Sequence, residues 1–152
     1  MSDAIELRFT IEGNPQPKQR ARRGKGGHHY TPDETRRYET RVRETAVLAA
    51  MDAGLPRREP QASGVSGKCR VHYLTRPLRV DAHIFWPDAR RRDGDNVYKS
   101  ILDGMQPARS RGFRVGLGLI EDDDLVHEHH VYEAIDRERP RVEIVVSVME
   151  TE

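Results

Sequence analysis

"RRRDGDNVYKSILDGM", residues 90–105, sets the plan of the chain, because its periodicity and its chemistry describe one helix with two unlike faces. A helix beginning near Asp95 puts Val97, Tyr98, Ile101, Leu102 and Met105 on one side and groups Asn96, Lys99 and Asp103 on the other. The apolar side belongs to a core; the polar side is left for chemistry. Asp93 and Asp95 stand at the helix start, where the positive end of the macrodipole favours carboxylates and an Asp side chain caps free N–H groups. One acid is enough for a cap. Here two acids at i and i+2 follow Arg90, Arg91 and Arg92, and Lys99 comes four residues after Asp95. The surplus of charge points to a ligand.

Upstream, Leu78, Val80, Ala82, Ile84 and Trp86 recur at every second position up to Pro87, the period of a strand with one buried face. Arg90 to Asp95 therefore arrive at the carboxyl end of a strand and the start of a helix, where backbone and side-chain groups converge on ligands. Ile5, Leu7, Phe9 and Ile11 predict a first strand over residues 5–11. Residues 12–32 follow as a basic loop whose prolines and glycines argue against regular structure. Thr31, Pro32 and Glu34 read as a capping box with proline at the first helical position. Tyr38, Val42, Ala46 and Ala49 supply that helix's apolar stripe, and Gly54 with Pro56 its stop. Residues 56–68 are a turn-rich excursion, with extended chain resuming at Cys69, and residues 106–118 are a loop rich in Gly and Arg. "LIEDDDLVHEHHVYEA", residues 119–134, predicts a third strand opened by its acids. Val142, Ile144, Val146 and Val148 predict a closing strand, the hairpin partner of the third. The order β-α-β-α-β-β defines an α+β fold: a single domain over residues 1–152, with one mixed sheet packed by two helices.

A chain of 152 residues buries enough surface to fold without covalent staples, and the lone Cys69 offers neither an internal disulfide nor a zinc knuckle. With no apolar run of membrane-spanning length, the expected setting is the reducing cytoplasm. The net charge of +1 hides a segregation: Lys18, Arg20, Arg22, Arg23, Lys25, Arg36, Arg37, Arg41 and Arg43 crowd one stretch, while residues 121–124 read Glu-Asp-Asp-Asp. A basic surface beside an acidic focus suits a polyanion with a divalent cation. Phosphodiester hydrolysis needs the phosphoryl oxygens neutralised and a water activated, which magnesium on two or three carboxylates provides. Asp93, Asp95 and one acid of residues 121–124 meet that need if the third strand lies beside the second. Lys99, one turn past Asp95, is then available to developing negative charge. His127, His129 and His130 lack a zinc-protease spacing and read as a solvated strand face, and "GKGG", residues 24–27, lacks the spacing of a nucleotide-binding loop.

"RPLRVDAHIFWPDARRRDGDNVYKSILDGM" followed by "IEDDDLV", with "PKQRAR" and "YTP" upstream, resembles the RusA family of Holliday junction resolvases. The resemblance spans Pro15 to Val148. It implies a homodimer that binds four-way DNA junctions in recombination and repair and makes paired, magnesium-dependent nicks. It also assigns the catalytic and metal-binding acids to Asp93, Asp95 and Asp123 and the active-site lysine to Lys99. Strand parity alone sets Asp122 and Asp124 on one face and Asp123 on the other; the family pattern selects Asp123. Lys18, Arg20, Arg22 and Arg23 of the basic loop, with Arg90, Arg91 and Arg92, are the expected DNA contacts. Relative to the family, Gly94 stands where an apolar residue is more usual, and residues 56–75 and 106–118 look like insertions. Two alternatives stay open: a DNA-binding protein without catalysis, and a nuclease for other branched DNA such as flaps.

Overall fold

The periodic segments account for the two long helices and four long strands of a computed structural model that describes residues 4–27, 29–30, 32–58, 70–110 and 113–150. In chain order the elements are β1 (Glu6–Glu12), β2 (Arg22–Arg23), β3 (His29–Tyr30), α1 (Asp33–Asp52), β4 (Arg70–Val71), β5 (Leu78–Trp86), α2 (Gly94–Met105), β6 (Ala108–Ser110), β7 (Phe113–Leu117), β8 (Val126–Ile135) and β9 (Arg141–Val148). The main sheet runs β1-β9-β5-β8. Within it β9 is antiparallel to β1 and β5, whereas β5 and β8 are parallel, so the sheet is mixed. Its alternate residues Leu7, Phe9, Ile11, Leu78, Val80, Ala82, Ile84, Val142, Ile144 and Val146 are buried in one core with Val42 and Ala46 of α1 and Val97, Ile101 and Met105 of α2. Each large aliphatic side chain so buried contributes roughly 1.5–3 kcal/mol. The helices cross closely because Gly104 has no side chain: a Cβ there would lie 2.6 Å from Val42 Cβ and 2.9 Å from the Glu39 carbonyl oxygen. Among the described residues, no helix is long and apolar enough to cross a membrane.

Four expectations need correction. First, β9 is not a hairpin partner of β8; it lies between β1 and β5. Its buried residues Val142, Ile144 and Val146 find apolar neighbours on both sides there, while β8, with His127, Glu128 and His129 exposed, takes the edge. Residues 136–140 need cross only the end of β5, about 10 Å at two strand spacings. Second, the acids do not open the third strand. Asp123–Leu125 form a 3-10 turn capped by Asp122, whose side chain accepts from the Asp124 N–H at 3.1 Å. Third, the basic loop is not wholly irregular, because β2 and β3 pair antiparallel within it. Likewise, β6 and β7 form an antiparallel pair inside residues 106–118, with β7 also parallel to β4. Fourth, α1 starts at Asp33 with Pro32 as its N-cap residue and no side-chain cap bond. Thr31 of the expected capping box lies outside the described residues, as does Cys69. The helix stop holds: Gly54, at φ +72°, donates its N–H to the Met51 carbonyl at 3.0 Å.

Candidate active site

The start of α2 is built by its own sequence. Asp93, in an extended conformation, is the N-cap, and its Oδ1 accepts from the N–H groups of Asp95 at 3.0 Å and Asn96 at 3.3 Å. The cap uses one oxygen and leaves the other. Both Asp93 and Asp95 are exposed, and with Arg91, Arg92, Gly94 and Glu133 they line a hollow of about 450 Å³. The apolar face of α2 is buried as expected, while Lys99 is exposed one turn beyond Asp95.

The three arginines before the helix divide. Arg92 binds Asp88 through both terminal nitrogens, at 2.7 and 3.2 Å, and its guanidinium lies 5.2 Å from the centre of the Trp86 ring. Arg92, with the Arg90 backbone N–H, holds the Asp88 carboxyl down at about 2. Arg92 therefore braces the loop, while Arg90 and Arg91 are exposed. The basic loop divides in the same way. Lys18 turns inward, ion-paired with Asp103, with Glu39 3.9 Å away, and its backbone N–H donates to the Asn96 carbonyl at 2.9 Å. Arg20 and Arg23 are exposed; the side chain of Arg22 lies outside the described residues.

Glu133 is a site neighbour that the sequence reading missed. It lies on β8 opposite Ile84 of β5, and its Oε1 accepts from Trp86 Nε1–H at 2.9 Å. A Cβ on Gly94 would lie 2.6 Å from the Glu133 carboxyl carbon, so the carboxylate occupies the space that glycine leaves at the start of α2. The signal was Gly94 itself, although nothing in one sequence names the side chain that needs its space.

Asp123 lies elsewhere. The third strand is beside the second, as the three-acid site required, but the two are parallel: Val126 pairs with Leu78 at the beginning of β5, whereas α2 begins beyond Trp86 at its end. Asp123 thus meets the C-terminal end of α2. Its carboxyl is raised above the ordinary range, first by partial burial, then by a hydrogen bond with Asp122 and by the charges of Asp122, Asp103 and Asp124. From Asp95 to Asp103 is about 12 Å along a helix axis. The structure brings Asp93 and Asp95 together and keeps Asp123 of the same chain apart from them. Among the described residues, no three His, Cys, Asp or Glu side chains converge to hold a metal. Between the two ends, the Tyr98 hydroxyl shares a hydrogen bond with His129 Nδ1 at 2.7 Å, and burial, then Asp81 and Asp123, push the phenol upward. His129 is thus occupied by α2, and His130 lies 3.7 Å from Glu128.

An α+β domain with exposed carboxylates at a helix start, flanked by unpaired surface arginines, has the equipment of a protein that acts on a polyanion. Residues 12–147 match the family model described as Endodeoxyribonuclease RusA. The chain belongs to the RusA family of endodeoxyribonucleases, the Holliday junction-resolving nucleases. No curated protein matches it.

Proposed function

We propose that this chain is a magnesium-dependent endonuclease that works as a cytoplasmic homodimer in recombination and repair, resolving four-way DNA junctions by paired phosphodiester hydrolysis. The observation that carries the reading is the exposed pair Asp93 and Asp95 at the cation-flanked start of α2, in a chain of this family. The donor set fits magnesium: among the described residues that hollow is lined by carboxylates and no Cys or His, and magnesium is ordinarily held by one or two carboxylates together with water and substrate phosphate. When bound, the ion supplies positive charge to the phosphoryl oxygens and acidifies a water. Asp93 and Asp95 would hold it. Arg90 and Arg91 grip the DNA backbone beside the reacting strand, and Arg20, Arg22 and Arg23 grip it farther out. Lys99, on the solvent side of α2, offers its ammonium to the charge that develops on the phosphate.

Asp123 joins this site from a second copy of the chain. With its own Asp93 and Asp95 at the far end of α2, a two-fold dimer gives each Asp123 a way to the partner's pair, and each dimer then carries two equivalent sites, one for each nick. The test is a denaturing gel of a labelled four-way junction, a flap and a plain duplex incubated with the protein, with magnesium or with a chelator. Symmetric nicks in the junction alone, lost on chelation, are expected. Equal cutting of the flap would make this a general branched-DNA nuclease, and binding without cutting would leave a DNA-binding protein.

A further inference from the structure

A second hollow, of about 460 Å³, opens between α1 and the segment that follows α2, and its charged lining is Lys18, Arg36, Glu39, Arg43, Asp103 and Arg109. Four cations face two carboxylates there. Lys18 lies between both acids, ion-paired with Asp103 and 3.9 Å from Glu39, and so offsets part of their charge within the wall. Arg43 is also part of the wall: its Nε donates to the Gln106 carbonyl at 2.7 Å and a terminal nitrogen to the Asp103 carbonyl at 3.4 Å. That clamp fixes the chain leading into β6 against α1. Arg36 and Arg109 are different. Both are exposed, and among the described residues Arg36 has in Asp33 a loose surface companion at 4.0 Å, a kind of pair that holds a side chain weakly. One comes from α1 and the other from β6, which begins two residues after the Gln106 that Arg43 holds.

We infer that this hollow is a second DNA-contact site, which takes a phosphate of the DNA backbone between Arg36 and Arg109. Guanidinium groups offered from two separate elements suit phosphate, because the planar fork of each pairs with phosphate oxygens through parallel N–H donors. The hollow is also of the size that encloses a small ligand group. Its position adds a reason. Asp103, in its wall, is also among the charges that act on Asp123, so a strand held there passes the C-terminal end of α2, the opposite end from Arg90 and Arg91. The inference rests on the reading of the chain as a DNA nuclease, and it names which part of the surface the DNA crosses.

The experiment is junction binding by the full chain without divalent cation, across a salt series, for Arg36→Ala, Arg109→Ala and the double variant. Arg37→Ala, an exposed neighbour on α1 outside this hollow, is the comparison. Each single variant is expected to lose about tenfold in affinity and to flatten the salt slope by about one, the signature of one lost phosphate contact. Arg37→Ala should change affinity less than twofold. Ethylation of individual junction phosphates supplies a readout that a diffuse field does not move: one position that blocks wild-type binding should cease to matter to the double variant. Equal losses for Arg37→Ala, or an unchanged ethylation pattern, would overturn the inference. Failure of the nuclease reading looks different, because the wild type then leaves the junction uncut in magnesium whatever the groove variants do to binding.

Discussion

Asp123 sits above the ordinary carboxylate range in the folded chain, and that has a definite sign for stability. A carboxyl that holds its proton more tightly when folded lowers stability as pH rises from its ordinary 3.8 through the raised value, and at neutral pH the whole loss is in force. Asp123→Asn, measured by thermal melting in chelator, should therefore melt higher than wild type at pH 7, with the difference shrinking as pH is brought below 3.8. A lower melting temperature at pH 7 would mean that the ionised group is stabilising. Gly94 gives a second test. Adding a Cβ where the Glu133 carboxylate approaches to 2.6 Å should, in Gly94→Ala, turn that flexible, exposed side chain aside and break its bond to Trp86 Nε1–H, at a cost of roughly 1 kcal/mol or less. The same change in a Glu133→Ala background should cost much less, because its obstacle is gone. Chemical denaturation of the four proteins in this cycle gives the coupling directly.

Under the proposed function the N-terminus of α2 has two duties, and they separate by substitution. Asp93→Ala removes the acceptor for the Asp95 and Asn96 N–H groups and should cost about 1 kcal/mol, whereas Asp93→Asn keeps an acceptor and should unfold almost like wild type. Under the proposed function both variants lose magnesium-dependent cutting. Urea denaturation beside single-turnover cleavage checks the two together, and normal cutting by Asp93→Asn would leave the residue with its cap alone. Elements also limited what a strand argument was able to decide. The parity that set Asp123 against Asp122 and Asp124 does not operate, because these acids form a 3-10 turn rather than strand. The selection of Asp123 therefore depends on the family pattern, and its distinct setting beside Asp103 is a property of the turn.

For the whole molecule, parallel β5 and β8 carry the strongest consequence. If Asp93 and Asp95 work with the partner's Asp123, two inactive variants complement. Mixed under conditions that allow subunit exchange, Asp95→Asn and Asp123→Asn form a heterodimer with one intact site and one doubly altered site, so the mixture should nick the junction on one strand. Two sites confined within single chains would both stay defective, and the mixture would stay inactive. Much of this protein was legible in one sequence because the information is local. Period two in residues 78–86 and period 3.6 in residues 94–105 report burial, which depends on neighbours a few residues away. The Asp93 cap is local in the same sense. What the tertiary structure alone decided are pairings between segments distant in sequence: β9 inserted between β1 and β5, Glu133 set against Gly94, Lys18 turned to Asp103, and Asp123 carried to the other end of α2. The physical reason is that alternation tells a strand which face to bury but not which strand to pair with or in which direction. Those choices are settled only when the whole core closes.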